Sequence, residues 1–177
     1  MRALPILLAG ALALTVAACD RGAATDKAAP ASAFNHDLPE DVSGYYIPTT
    51  AVQVGAWRLH HLFLGQVPDF IAWREGDRTA GFAPIMMEFE ATDAPAGAEK
   101  ARRTRLIPTA YDVTEDRVRF QARSRELGAV SFEGRLDQGA LATARRNLGD
   151  RGVVLTGRLK VGDRTFDGVS LRWWAGD

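Results

Sequence analysis

Residues 117–124 and 129–136, RVRFQARS and AVSFEGRL, alternate apolar and polar side chains almost without a break. A two-residue period is the geometry of an extended strand, whose successive side chains point to opposite faces, and it is incompatible with the 3.6-residue period of a helix. Val118, Phe120 and Ala122 share one face of the first stretch, and Arg117, Arg119, Gln121 and Arg123 the other. In the second, Val130, Phe132 and Leu136 oppose Ser131, Glu133 and Arg135. The Arg123–Gly128 connection is short enough for a hairpin. A sheet with one buried and one solvated face is antiparallel in the usual case.

The same texture runs through most of the chain. Val153, Leu155, Leu159 and Val161 oppose Thr156, Arg158 and Lys160, and VGDRT then turns into FDGVSLRWW. Upstream, AVQVGAWRLHHLFLG, DFIAWREG and APIMMEFEAT read as further strands, with Ile85, Met87 and Phe89 opposed to Met86, Glu88 and Glu90. RLIPTAYDVT adds another, at an edge or interrupted, because Pro108 cannot donate to a ladder. One segment departs: DQGALATARRNLGD spaces Leu141, Ala144 and Leu148 by three and four and ends at Gly149, which predicts a short helix near 139–148. The expected fold is all-β, an antiparallel meander of about eight strands forming a small barrel or a sandwich. The barrel is preferred because closure removes exposed edges. SGYY at the first strand and the helix-strand ending loosely resemble lipocalin-type barrels, which would imply a carrier of an apolar small molecule. Against that, bulky Ile85, Met87, Phe89, Phe120, Phe132 and Leu155 point to a filled centre.

Composition excludes some partners. Lys plus Arg and Asp plus Glu both number 22, so no overall positive charge favours nucleic acid. With 46% hydrophobic and 25% charged residues, the body of the chain is ordinary globular protein. There is one cysteine, so no internal disulfide can form.

That cysteine sits at the end of a leader-like segment. Met1-Arg2 precedes an apolar run from Ala3 to Leu14, and small residues follow. The run is shorter than the ~20 residues that span a bilayer, and the order of charge, apolar run and small residues is that of a secretory signal peptide. Val16-Ala17-Ala18-Cys19 closely resembles the lipobox of bacterial lipoproteins. The resemblance implies removal of residues 1–18, a diacylglycerol group on the Cys19 thiol and, as a rule, an acylated new amino terminus. Two or more acyl chains hold a protein stably at a membrane where one does not. Asp20 resembles the signal that retains some enterobacterial lipoproteins in the inner membrane. Residues 19–40, rich in alanine and small polar side chains, read as a lipidated flexible tether onto which Phe34 could dock. Residues 41–177 read as a single β-rich domain. The expected location is the bacterial cell membrane or outer membrane, lipid-anchored and facing the periplasm.

Candidate sites are few. His60 and His61 are neighbours on a strand, so their rings should face opposite ways, and no metal site is expected. Glu88 and Glu90 share a strand face, as a hard-cation site or an ordinary solvated face would have them. No G-x-S-x-G elbow or glycine-rich phosphate loop occurs, so neither an enzyme with catalytic residues nor a cofactor is expected; a hydrolase with an unrecognisable site is the minor alternative. Aromatic residues carry more signal. Trp57, Trp73, Trp173, Trp174 and Tyr45 are candidate binding residues, since Trp and Tyr offer apolar area with a polar handle. Lys100, Arg102, Arg103 and Arg105 form a basic run that could meet anionic headgroups at about 1 kcal/mol per residue. The functional expectation is a binding or interaction domain, with an envelope protein or an apolar ligand as partner. Cys19→Ser should release the protein from the membrane fraction after a salt wash; continued fractionation with membranes would mean that lipidation is not the anchor.

Overall fold

The computed structural model describes residues 33–93 and 102–176. The leader, Cys19 and Lys100 lie outside the described residues. Eleven strands and two helices follow in the order β1 (Phe34–Asp37), β2 (Gly44–Pro48), β3 (Gln53–Val54), β4 (Trp57–Leu64), α1 (Val67–Glu75), β5 (Ile85–Ala91), β6 (Arg103–Leu106), β7 (Pro108–Thr114), β8 (Arg117–Ser124), β9 (Gly128–Leu136), α2 (Gln138–Arg146), β10 (Val153–Val161) and β11 (Arg164–Trp174). The fold is mostly β, as expected, but with more strands than eight, and the sheet is a curled, open half-barrel.

The strand order is β1-β7-β8-β9-β10-β11-β2-β4-β5-β6, with β3 paired to β4. Strands β7 to β11 form an antiparallel meander, and β11 then pairs with β2. Strand β1 is the exception, lying parallel to β7 with Phe34 opposite Tyr111. It falls within the segment read as tether. Four residues are too few for a period to stand out, yet Phe34 docks against Tyr111 at 5.3 Å between ring centroids.

Ile107 alone separates β6 from β7, although these strands lie near opposite ends of the order. Laid flat, eight inter-strand steps would hold them roughly 40 Å apart. The sheet must therefore curl until β6 and β7 come together at Ile107, without pairing to close the barrel. Pro108 marks the break between the two strands, in keeping with its missing N–H.

The rolled interior is solid. Tyr46, Leu62, Phe89, Phe120, Phe132 and Leu155 are among the fully buried side chains. Phe132 pairs with Phe120 on one side and Leu159 on the other. Its ring occupies the space left by Gly134 and Gly157, where an added Cβ would come within 2.7 and 2.8 Å of its Cζ. Two glycines facing each other across β9 and β10 thus leave no hollow. The Tyr46 hydroxyl is satisfied within the chain, donating to the Val42 carbonyl at 2.6 Å.

One segment read as a strand is a helix. DFIAWRE lies in α1, with the final Gly76 just past its end, and its end signals explain why. The Gln66 N–H donates to the Asp69 carboxylate at 2.8 Å, Pro68 occupies the first turn, and Gly76 follows the last turn at φ +99°. Phe70 and Trp73, three apart, point into the protein and meet β1 and β7: Phe70 lies 5.4 Å from Tyr111, and Trp73 lies 6.1 Å from Phe34. The second helix, α2, matches the expected one closely. Asp137 caps it by accepting from the Ala140 N–H at 2.9 Å, and Leu141 and Ala144 are buried. Leu148, grouped with them by spacing, lies beyond the helix and is 75% exposed.

Gly157→Ala tests the solid interior. Its new Cβ would sit 2.4 Å from the Glu133 carbonyl oxygen, which is backbone and cannot swing aside. Overpacking of this kind should lower stability by about 1–3 kcal/mol, read as a lower urea midpoint.

Candidate functional site

The outer face of β4, β5 and β6 carries the molecule's densest polar chemistry, and a ladder irregularity creates it. Leu59 pairs with Phe89 and His61 with Glu88, so β4 advances two residues where β5 advances one. His60 is the extra residue of a β-bulge. Leu59 and Leu62 both face the core, and the two histidines between them both face outward. The expectation that neighbouring imidazoles diverge holds for a regular strand and fails here for that reason. Their Nδ1 atoms are 2.7 Å apart.

Glu88 lies beneath them. It is only 4% exposed although it occupies the outer face, because His60, His61, Arg103 and Arg105 cover it. Arg103 Nη1 donates to Glu88 Oε1 at 3.1 Å, and Arg105 Nη2 donates to Oε2 at 3.3 Å. The register puts Arg105 opposite Glu88 and Arg103 opposite Glu90. Glu90 also accepts from Arg58 at 2.9 Å and approaches His60 Nε2 at 3.8 Å. A nearly buried carboxylate needs such partners, since an unpaired one would be costly to desolvate. One oxygen or nitrogen each from His60, His61 and Glu88 lie within 4.8 Å of one another, the spacing at which such a trio, among the described residues, could hold a metal ion. Burial pushes the His61 pKa down to about 4, Arg103, Arg105 and His60 acting in the same direction and Glu88 against it.

Aromatic rings rim this charge lattice. Tyr45 stands edge-on to His61 at 5.0 Å, beside Phe63 at 5.2 Å and Trp174 at 5.5 Å. Together they line an open cleft of about 700 Å³ with His60, His61, Glu88 and the two arginines. Phe82, 41% exposed, forms its far wall next to Phe63.

Of the five aromatic candidates, the structure brings Tyr45 and Trp174 to this cleft. Trp173 takes the opposite face of β11, as strand alternation requires; its Nε1 donates to the Ser43 carbonyl at 2.9 Å, and it lines an adjoining cleft of about 580 Å³ with Arg145. Trp57 lies beside Arg102, whose Cζ is 5.2 Å from the ring. Trp73 is buried on α1 and lines neither of these two clefts. The basic run is divided: Arg103 and Arg105 are drawn onto Glu88, while Arg102 reaches Trp57 and Asp93. Arg103 and Arg105 therefore belong to the candidate site, not to a free cationic patch. Compared with known protein families, curated proteins and solved structures, the chain matches none.

His61 generates a pH prediction. Its folded pKa, about 4, lies below the ordinary 6.5, so the unfolded chain binds the extra proton first as acid is added. The stability held by neutral His61 is present above pH 6.5 and is lost as pH falls from there toward 4. In metal-free protein, urea midpoints should fall over that window more steeply than in His61→Gln; equal slopes would refute the assignment.

Proposed function

We propose that the chain is a lipid-anchored bacterial envelope protein, held through acyl chains on Cys19 to the cell membrane or outer membrane. On this reading its periplasm-facing domain works by binding, at the outer face of β4 to β6, and not by catalysis. The observation that carries the reading is the pairing of a filled interior with a chemically rich outer cleft. Tyr45, Trp174 and Phe82 offer apolar contact there, while Arg103, Arg105 and Glu88 offer directional polar contact. Tyr, Trp and Arg are the residue types that dominate binding energy at protein surfaces. This favours an envelope protein as partner. A lipocalin-like carrier needs a hollow centre, and Phe89, Phe120 and Phe132 fill the corresponding space.

Among the described residues no helix is long and apolar enough to cross a membrane. The proposed attachment through Cys19 rests on the lipobox resemblance of Val16-Ala17-Ala18-Cys19, outside those residues. Native mass spectrometry of the full chain, purified in detergent from its own host, should retain non-covalently bound mass beyond that of the acylated chain. The double variant Tyr45→Ala with Trp174→Ala should lose it, each truncation weakening binding roughly 30-fold if it removes a hot spot. Repeated absence of bound mass from the unaltered protein would count against the binding role.

A further inference from the structure

We propose that His60, His61 and Glu88 bind one divalent transition-metal ion of the imidazole-preferring kind, zinc or copper(II). The inference deepens the binding role assigned to the cleft and rests on it. The donor set sets the class of metal. Two imidazole nitrogens and one carboxylate oxygen, with no thiolate, suit Zn²⁺ or Cu²⁺; they do not suit Cu⁺, which prefers sulfur, or Ca²⁺ and Mg²⁺, which prefer an all-oxygen shell. Three protein ligands leave a position open to the cleft, where water or a partner side chain would complete the coordination.

The geometry is nearly formed. The two Nδ1 atoms stand 2.7 Å apart. Bonds of ~2.0–2.1 Å to one tetrahedral zinc would hold them about 3.3 Å apart. A small rotation of either ring covers that difference. Glu88 Oε1 is 4.0 Å from His60 Nδ1 and closes the triangle.

The surrounding groups fit roles beyond direct ligation. Arg105 holds Glu88 by its other oxygen, Oε2, and is itself tied to the Gly81 carbonyl at 2.9 Å, so the carboxylate stays aimed when Oε1 turns to a metal. Arg103, the arginine now on Oε1, is 48% exposed and already lies 3.6 Å from Glu90 Oε2, so it has somewhere to go. Arg103 Nη2 stands nearest His60 Nε2, at 3.4 Å; once Arg103 moves onto Glu90, that carboxylate, 3.8 Å from Nε2, is the group left to support the ring from behind, as carboxylates commonly do for ligating histidines. Arg58, Arg103 and Arg105 outnumber Glu88 and Glu90, which lowers the affinity for a cation and points to micromolar rather than nanomolar binding.

The test is titration of the full chain, in detergent and without a polyhistidine tag, with Zn²⁺ by calorimetry and with Cu²⁺ by electron paramagnetic resonance. One ion should bind per chain, and the copper spectrum should carry coupling to two imidazole nitrogens. His60→Ala and His61→Ala should each weaken binding by more than about tenfold. His36→Ala, the remaining histidine of the chain, should change nothing. Circular dichroism identifies any alanine variant that fails to fold, and His60→Asn or His61→Asn then replaces it. No binding tighter than about 100 μM, or binding unaltered in folded His60 and His61 variants, would overturn the metal site. If added mass is still retained in native mass spectrometry, the metal site alone fails; if that mass is lost too, both readings fail.

Discussion

The single residue between β6 and β7 constrains the whole architecture. Strands at opposite reaches of a ten-strand path are joined through Ile107 alone, so the sheet has no flat conformation available. Once rolled, it must fill its own inside, and the side chains that do so are large: Phe89, Phe120, Phe132, Met87 and Tyr46. The facing pair Gly134 and Gly157 lets the Phe132 ring lie flush against backbone, a fit in which any added Cβ collides. The remaining opening is stopped from the side, where β1 and α1 contribute Phe34 and Phe70 against Tyr111, with Trp73 packed on Phe34. Curvature, filling and plugging are consequences of one connection.

A filled interior moves function to the surface, and the surface is unequal. The outer face of β8 and β9 carries solvated pairs such as Arg119 with Glu133, both half-exposed or more, which are worth little individually. The face of β4 to β6 differs because Glu88 is nearly buried there. A carboxylate so placed binds its neighbours into one unit: Arg103, Arg105 and His60 are each positioned by it, and removing one partner exposes the cost of the rest. This interdependence gives the cleft a defined geometry where a solvated strand face would have mobile side chains.

Much of the fold was legible because strands with one wet face announce themselves by alternation. Val118, Phe120, Val130, Phe132 and Leu155 all proved buried on the face their period assigned. Helix α2 was legible for a similar reason, its two apolar residues lying one turn apart beside a capping Asp137. Helix α1 was not, because its apolar residues are short-range neighbours that fit a strand equally well, and its decisive signals are end signals: Pro68, Asp69 and Gly76. The pairing of β5 with β6 was written in complementary form, Glu-Phe-Glu against Arg-Thr-Arg, but only a register turns that complement into contact. Curvature and openness could not be read at all, since they depend on which distant strands meet.

The histidine pair is the sharpest case, and its signature is in the core residues around it. Leu59 and Leu62 are three apart, whereas a strict two-residue period would send one of them outward. Only two arrangements resolve the conflict. Either one leucine is exposed and one imidazole is buried in an apolar core, leaving ring nitrogens without partners at a cost of several kcal/mol by transfer scales, or the ladder admits an extra residue. The bulge is the less costly answer, since it sacrifices ladder regularity at one point and keeps Leu59, Leu62 and Leu64 inside. Its consequence is unavoidable: two adjacent imidazoles must share the outer face, directly above Glu88. The pairing of the histidines thus follows from the demands of the hydrophobic core, before any ligand is considered.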